Sequence, residues 1–351
     1  MLPEFEKIFE PLKTPPPDVG SDQARQIALQ HYGLSASATT FISERDRNFH
    51  LLTDAGEHYV LKVTNSAENP QVALFQSEAL REISRRDPSL PVPKVVATLD
   101  GAHHFFLRQN GQDLLVRLFT YLDGESVAKV PHSARQRFNI GQLSARIARA
   151  LQGFRHPADQ HLILWDIQNA GHLGELLQCI PEAEKRTLAE EYLDRFRAHV
   201  LPAYPSLRRQ AVHNDLNLQN LLVQPEAPDV ITGILDFGDM VHTALINDVA
   251  VTSSYLLATE GDPLAPVVEM LHGYQSVVPL ESTELMLLPD LIATRYLVNV
   301  AITNWRAARY PENKAYILRN TGPAWAGLRC LKEHPRQELQ DYLADACQSL
   351  N

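Results

Sequence analysis

The sequence has 351 residues, 44% of them hydrophobic and 21% charged, with a formal net charge of −10. A chain of that length and mixture is too apolar for disorder and long enough for two lobes. No block of consecutive Lys or Arg appears, so nothing favours polyanion binding and nucleic acid is not an expected partner. The acidity is compatible with a cationic substrate, but ordinary solubility is the weightier account of it.

Taken in chain order, residues 1–20 form a lead-in stiffened by Thr14-Pro15-Pro16-Pro17. Ser21 and Asp22 are candidate caps for a helix ending near Gly33. Residues 38–64 read as strand, polar loop, strand, the turn Asp54-Ala55-Gly56-Glu57, then the alternating strand HYVLKVT. Asn69-Pro70 opens a helix over 70–86 whose Val72, Phe75, Ala79 and Ile83 share one face, with Glu78 beside it. After Pro91-Val92-Pro93, strands near 94–99 and 113–122 complete a five-stranded antiparallel sheet packed on one helix. Asp123-Gly124-Glu125 is the linker. From about Ser133 the chain is mainly helical, apart from short apolar runs between about 210 and 240. The expected class is therefore α+β and bilobal, with a nucleotide-binding lobe over 1–122 and a helical lobe for catalysis and substrate over 123–351.

Cys179, Cys330 and Cys347 are odd in number and far apart, so they make neither a disulfide framework nor a zinc spacing. The sequence has no apolar run of signal-peptide or membrane-span length, which sets the expectation of a cytoplasmic protein without a membrane partner.

The chemistry concentrates in His213-Asn214-Asp215-Leu216-Asn217-Leu218-Gln219-Asn220, followed sixteen positions later by Asp236-Phe237-Gly238. In that order and spacing a kinase sets the first Asp against the attacking hydroxyl and holds magnesium with the Asn and the second Asp. Magnesium prefers hard oxygen ligands, which Asn220 and Asp236 supply, while Asp215 orients the acceptor. Any one of these residues alone is more simply a turn or cap residue. Upstream, Lys62 in the strand YVLKV is positioned for nucleotide phosphates, and Glu78 on the next helix for pairing with that lysine. The agreement of these separated positions favours a kinase over a polar surface.

Through His213, Asp215, Asn220 and Asp236 the chain resembles the aminoglycoside phosphotransferase and choline kinase superfamily, over nearly its whole length. That resemblance implies the protein-kinase-like fold. The segments SERDRNF at 43–49, GILDFGDM at 233–240 and YPENKAY at 310–316 look most like the hydroxylysine kinase branch. The branch implies transfer of the γ-phosphate of Mg-ATP or Mg-GTP to 5-hydroxy-L-lysine.

Two departures from protein kinases stand out. The phosphate loop Ser43-Glu44-Arg45-Asp46-Arg47-Asn48-Phe49 has no glycine, so backbone N–H groups and Ser43 or Asn48 are expected to meet the phosphates, with Arg45 or Arg47 nearby. Asn214 stands where protein kinases carry an arginine, which removes the partner for activation-loop phosphorylation. The base is expected against backbone groups of Phe119 to Tyr121, in a cleft between the lobes. For the acceptor, Asp239 and the helical residues Arg295, Tyr296 and Asn299 are candidates, with Arg295 as the cation for a carboxylate. His103, His104, His156 and His161 read as surface or loop histidines. The rival readings are a homoserine, choline, ethanolamine or aminoglycoside kinase, and a nucleotide-binding pseudokinase module.

Overall fold

The computed structural model describes residues 14–41, 43, 46–258, 261–319 and 321–348. Most of the lead-in, together with Glu44 and Arg45 of the phosphate loop, lies outside them. The chain divides into two compact units. One holds the residues up to Gly124 together with His156–His161 and Thr232–Gly238; the other holds Glu125–Arg155, Leu162–Ile231 and Asp239–Asn351. The division is not the single cut expected near 122, because two later segments, one carrying Asp236, belong to the first unit.

In the first unit, α1 (Ser21–Tyr32) precedes β1 (Ala36–Phe41), β2 (Arg47–Thr53) and β3 (His58–Val63). Helix α2 (Pro70–Arg86) follows, then β4 (Val95–Val96), β5 (Phe105–Gln109) and β6 (Gln112–Thr120). The antiparallel sheet runs β1-β2-β3-β6-β4, with β5 also paired to β6. It has one strand more than the five expected, and the unit holds α1 before β1 as well as α2 between β3 and β4. The extra strand β5 returns through Asn110-Gly111, both at positive φ (49° and 81°), with Gln109 paired to Gln112. Both residues tolerate the left-handed region that a two-residue hairpin matching the strand twist requires.

Alternation sends Phe49, Leu51, Leu61, Val63, Val116 and Leu118 to one face, all fully buried together with Ala24 and Ala28 of α1. Each large side chain removed from water contributes roughly 1.5–3 kcal/mol. The opposite face carries the chemistry. Helix α2 begins on the Asn69 cap, which accepts from the Gln71 N–H, with Pro70 in the first turn.

The second unit is mainly helical. Its principal helices are α3 (Ala134–Leu151), α4 (Ala183–Arg195), α5 (Leu245–Ser254), α6 (Ala265–Gln275), α7 (Ser282–Arg309), α8 (Thr321–Lys332) and α9 (Arg336–Gln348). Short strand β9 (Leu221–Gln224) pairs with β7 (Glu125–Ser126) and with β10 (Ala227–Ile234), whose last residues belong to the first unit, and β8 (Arg209–Val212) pairs with β11 (Val241–Ala244). Helices α3 and α6 approach backbone to backbone. A methyl group at Gly141 would overlap the Met270 carbonyl, and one at Gly273 the Phe138 carbonyl.

Helix α7 starts in a capping box between Glu281 and Glu284 and runs through the centre of the unit, most of its residues from Leu285 to Ala307 being buried. It corrects the expectation that no segment reaches membrane-span length. By length and composition this helix does, but 89% of its most apolar 18-residue window is packed inside the protein.

Candidate active site

In the first unit, strand alternation and register build a polar row. Asn48 pairs with Lys62 and Lys62 with Arg117, so these three polar side chains form one cross-strand row on the face opposite the apolar core. The next row on that face is His50, Val60 and Phe119. The Lys62 ammonium stands 5.9 Å from the centre of the Phe119 ring and makes no ion pair with any described residue. The buried Asn48 Oδ1 has no hydrogen-bond partner. A free ammonium beside an unmatched amide is a site with capacity for an anionic group and a donor. Ser43 is half-buried in the loop before β2.

The expected pairing of Glu78 with Lys62 is not made. Glu78 faces away, with Oε2 3.7 Å from His156 Nε2, because α2 turns Ala73, Gln76 and Ser77 toward the strand face instead. Those positions are occupied by Arg117, whose guanidinium donates to the Ala73 carbonyl, Thr64 Oγ1 and Ser77 Oγ at 2.6–3.2 Å. Burial pulls the Arg117 pKa down, partly offset by Asp46 and Glu68. His156 is correspondingly no surface residue: it is buried and stacks on Phe75.

Backbone contacts also revise the expectation for the base. The Thr120 N–H donates to the Lys94 carbonyl and the Tyr121 N–H to the His58 carbonyl, so neither is available to a ligand edge. The Tyr121 ring packs with Phe41, His50 and His58. Asp236 adopts φ 56° and is exposed; its Oδ1 accepts the Gly238 N–H at 3.2 Å. The Gly238 carbonyl in turn accepts from Gln76 Nε2.

In the second unit the loop after β8 presents Asp215. Its Oδ2 accepts from Asn217 Nδ2 and Asn220 Nδ2, both at 3.0 Å, and its N–H donates to His213 Nδ1 at 3.3 Å. The Asn220 amide nitrogen also donates to the Asp215 carbonyl, and the Asn220 Oδ1 accepts no hydrogen bond from a described residue. An amide oxygen at Asn220 and an exposed carboxylate at Asp236 are each hard ligands of the type magnesium takes alongside phosphate oxygens and water.

The loop is anchored from below by Asp248 on α5, whose Oδ1 accepts the Asn214 N–H at 2.7 Å. Asn214 sits at φ 65°, a region asparagine visits more readily than most residues. Burial raises the Asp248 pKa, against the lowering effect of His213 and the loop N–H groups. Sequence reasoning missed Asp248; its signal is a lone acid in the apolar stretch LINDVAV.

Arg295 on α7 is buried and its Nη2 lies 2.8 Å from Asp215 Oδ1, while Nη1 donates to the Trp165 carbonyl at 2.9 Å. Its carbon centre is 5.7 Å from the Trp165 ring centre. The turn carrying Trp165 is fixed by Asp166, which accepts from the Gln168 N–H, Thr243 Oγ1 and Asn247 Nδ2. Burial alone would lower the Arg295 pKa, but Tyr255, Asp215 and Asp239 together raise it. The cation expected to greet a substrate carboxylate is thus committed to Asp215.

A cavity of about 630 Å³ opens in this unit beside Arg295, and Tyr296, Asn299, Gly327 and Tyr255 also line it. The Tyr296 hydroxyl donates to the Ser254 carbonyl, and Asn299 Oδ1 is buried without a partner. Asp239 does not line this cavity. It acts on the site through its field on Arg295 and Tyr255.

The profile of the phosphotransferase enzyme family matches residues 39–284. Hydroxylysine kinase of Danio rerio is 28% identical over 337 residues, covering 92% of this chain and 94% of that protein. Homoserine kinase of Hyphomonas neptunium is 29% identical over 290 residues, covering 77% and 82%. A solved structure of a microcompartment-associated aminopropanol kinase shares the fold, with a TM-score of 0.69 at 20% identity over 95% of this chain and 100% of that one. With Lys62, Asp215, Asn220 and Asp236 all inside the matched stretch, the chain belongs to the phosphotransferase enzyme family and is a small-molecule kinase acting on an alcohol group.

Proposed function

We propose that the protein transfers the γ-phosphate of Mg-ATP or Mg-GTP to the hydroxyl of 5-hydroxy-L-lysine. The observation that carries this reading is the 28% identity to a hydroxylysine kinase along 92% of the chain. A cavity against Arg295, which touches Asp215, supports it from the geometry.

In this reading Lys62 binds nucleotide phosphates, helped by Ser43 and Asn48, and Phe119 and Tyr121 line the base with their rings rather than with backbone donors. Asn220 and Asp236 each offer an oxygen to magnesium, which when bound screens the phosphates and aligns them for in-line transfer. Asp215 accepts a hydrogen bond from the acceptor hydroxyl and takes its proton as the phosphoryl group arrives. Asn217, Asn220 and Arg295 hold that carboxylate in one orientation, so little reorganisation is needed at the moment of transfer.

The relative with a homoserine kinase name favours homoserine as the second reading. Nucleoside-diphosphate release separates them: magnesium with ATP or GTP is supplied with 5-hydroxylysine, homoserine, choline, ethanolamine or kanamycin, with Asp215→Asn as the blank. Turnover confined to hydroxylysine is the expected result, whereas turnover with homoserine or a carboxylate-free alcohol instead overturns it.

A further inference from the structure

The cavity beside Arg295 needs a cation for a substrate carboxylate, and Arg295 itself is taken by Asp215 and the Trp165 carbonyl. The cavity wall supplies another. Arg329 on α8 lines it, and so does Glu333, four positions on and just past the end of that helix. The Glu333 N–H still donates to the Arg329 carbonyl at 3.2 Å, so helical geometry carries both side chains to the same face one turn apart.

Opposite charges at that spacing commonly pair, yet neither side chain forms an ion pair or hydrogen bond with a described residue. Both side chains line the cavity and are exposed, so their charges are open to a ligand there. Across the same space, Asn299 Oδ1 is a buried acceptor without a donor. A cation and an anion one turn apart on one wall, with an unmatched acceptor elsewhere in the lining, complement a ligand that carries a carboxylate and an ammonium on one carbon.

We infer that Arg329 and Glu333 form the α-amino-acid anchor of the acceptor site, Arg329 taking the carboxylate and Glu333 the α-ammonium, so that the hydroxyl-bearing end extends toward Arg295 and Asp215. This rests on the hydroxylysine reading and specifies it, because it makes the zwitterionic head the feature recognised. An amino alcohol lacking the carboxylate leaves Arg329 unmatched.

Steady-state kinetics on the full chain test the assignment with three acceptors: 5-hydroxylysine, the diamine left when its carboxylate is removed, and its Nα-acetyl derivative. Arg329→Met is expected to raise KM for hydroxylysine by about 10–100-fold with little change in kcat, erasing the preference over the diamine. Arg329→Lys should restore part of it. Glu333→Gln is expected to raise KM for hydroxylysine about tenfold and to erase the preference over the acetylated compound. Both residues are exposed, so thermal unfolding should be unaltered. If the wild-type protein phosphorylates hydroxylysine and both variants keep its KM, the anchor is refuted while the hydroxylysine reading stands. If the wild-type protein prefers the diamine to hydroxylysine, the hydroxylysine reading falls and takes the anchor with it.

Discussion

Arg295 Nη2 lies 2.8 Å from Asp215 Oδ1, joining the centre of the long buried helix α7 to the loop after β8. The contact removes Arg295 from the pool of free substrate-binding cations. It also gives the carboxylate three side-chain donors, since Asn217 and Asn220 already occupy its other oxygen. A carboxylate held this way has one orientation for an incoming hydroxyl.

Replacing Arg295 therefore reads out in turnover rather than in acceptor affinity. Arg295→Met is expected to lower kcat by about 100-fold, to a similar extent for every acceptor, with KM changing less than about threefold. Arg295→Lys keeps a charge but not the planar fork that spans Asp215 and the Trp165 carbonyl, so it recovers only part of the rate. A selective rise in KM for carboxylate-bearing acceptors would return Arg295 to the role of substrate anchor.

Close helix contact in the second unit gives a stability prediction. A Cβ at Gly273 would overlap the Phe138 carbonyl, which belongs to the backbone of α3 and has no rotamer through which to retreat. Gly273→Ala should cost about 1–3 kcal/mol and lower the thermal midpoint by several degrees. Gly322, in the first turn of α8, has open space around the same position, and Gly322→Ala should be neutral or stabilising by up to about 1 kcal/mol. Calorimetry on the two variants checks the contrast; equal midpoints would mean α3 and α6 separate freely.

On the surface of α2, Glu82 is held at about 2 chiefly by its hydrogen bond from Arg85, with Arg86 adding to it. A carboxylate whose pKa falls on folding contributes stability above its unfolded value of 4.5 and loses that contribution as the pH drops from there toward 2. Because the pair is largely solvated, the contribution is below about 1 kcal/mol. Urea midpoints of wild type and Glu82→Gln should differ slightly at pH 7 and converge as the pH falls from 4.5 to about 2. A gap that widens on acidification contradicts the assignment.

What could be read from the sequence follows from how local each signal is. Period-two alternation in HYVLKVT puts Lys62 on a definite sheet face, and the spacing of Asp215, Asn220 and Asp236 is a contiguous motif, so both are legible before any tertiary contact is known. The partner of Glu78 is not legible in this way, for a physical reason. Helical periodicity locates a residue relative to its own helix, but whether that azimuth meets Lys62 depends on how the helix is rolled, and Arg117 on β6 fills the place instead. Arg295 acts on a carboxylate 80 positions earlier, a relation no window can reveal. Strand β5 is a different case, since the Asn110-Gly111 turn that returns it is itself a local hairpin signal in the sequence.

Asp248 supplies the sharpest test of how the catalytic loop is held. The residue is 3% exposed, its carboxylate accepts the Asn214 N–H at 2.7 Å, and Asn214 takes a left-handed conformation that it must hold for Asp215 to face outward. Asp248→Ala leaves that N–H unpaired in the interior, a loss of about 1–3 kcal/mol, and frees the loop to relax toward a commoner backbone geometry. Asp248→Asn preserves one acceptor and should retain much more activity. Amide hydrogen exchange separates anchoring from general destabilisation: the Asn214 N–H should be well protected in the wild type and exchange at least tenfold faster in Asp248→Ala, while amides in the core of α7 change little. Turnover should fall by about 100-fold in the same variant, because a carboxylate displaced by about 1 Å no longer meets the acceptor hydroxyl in line. Uniform acceleration across α7 together with the loop would show that Asp248 supports the whole unit and not the loop alone.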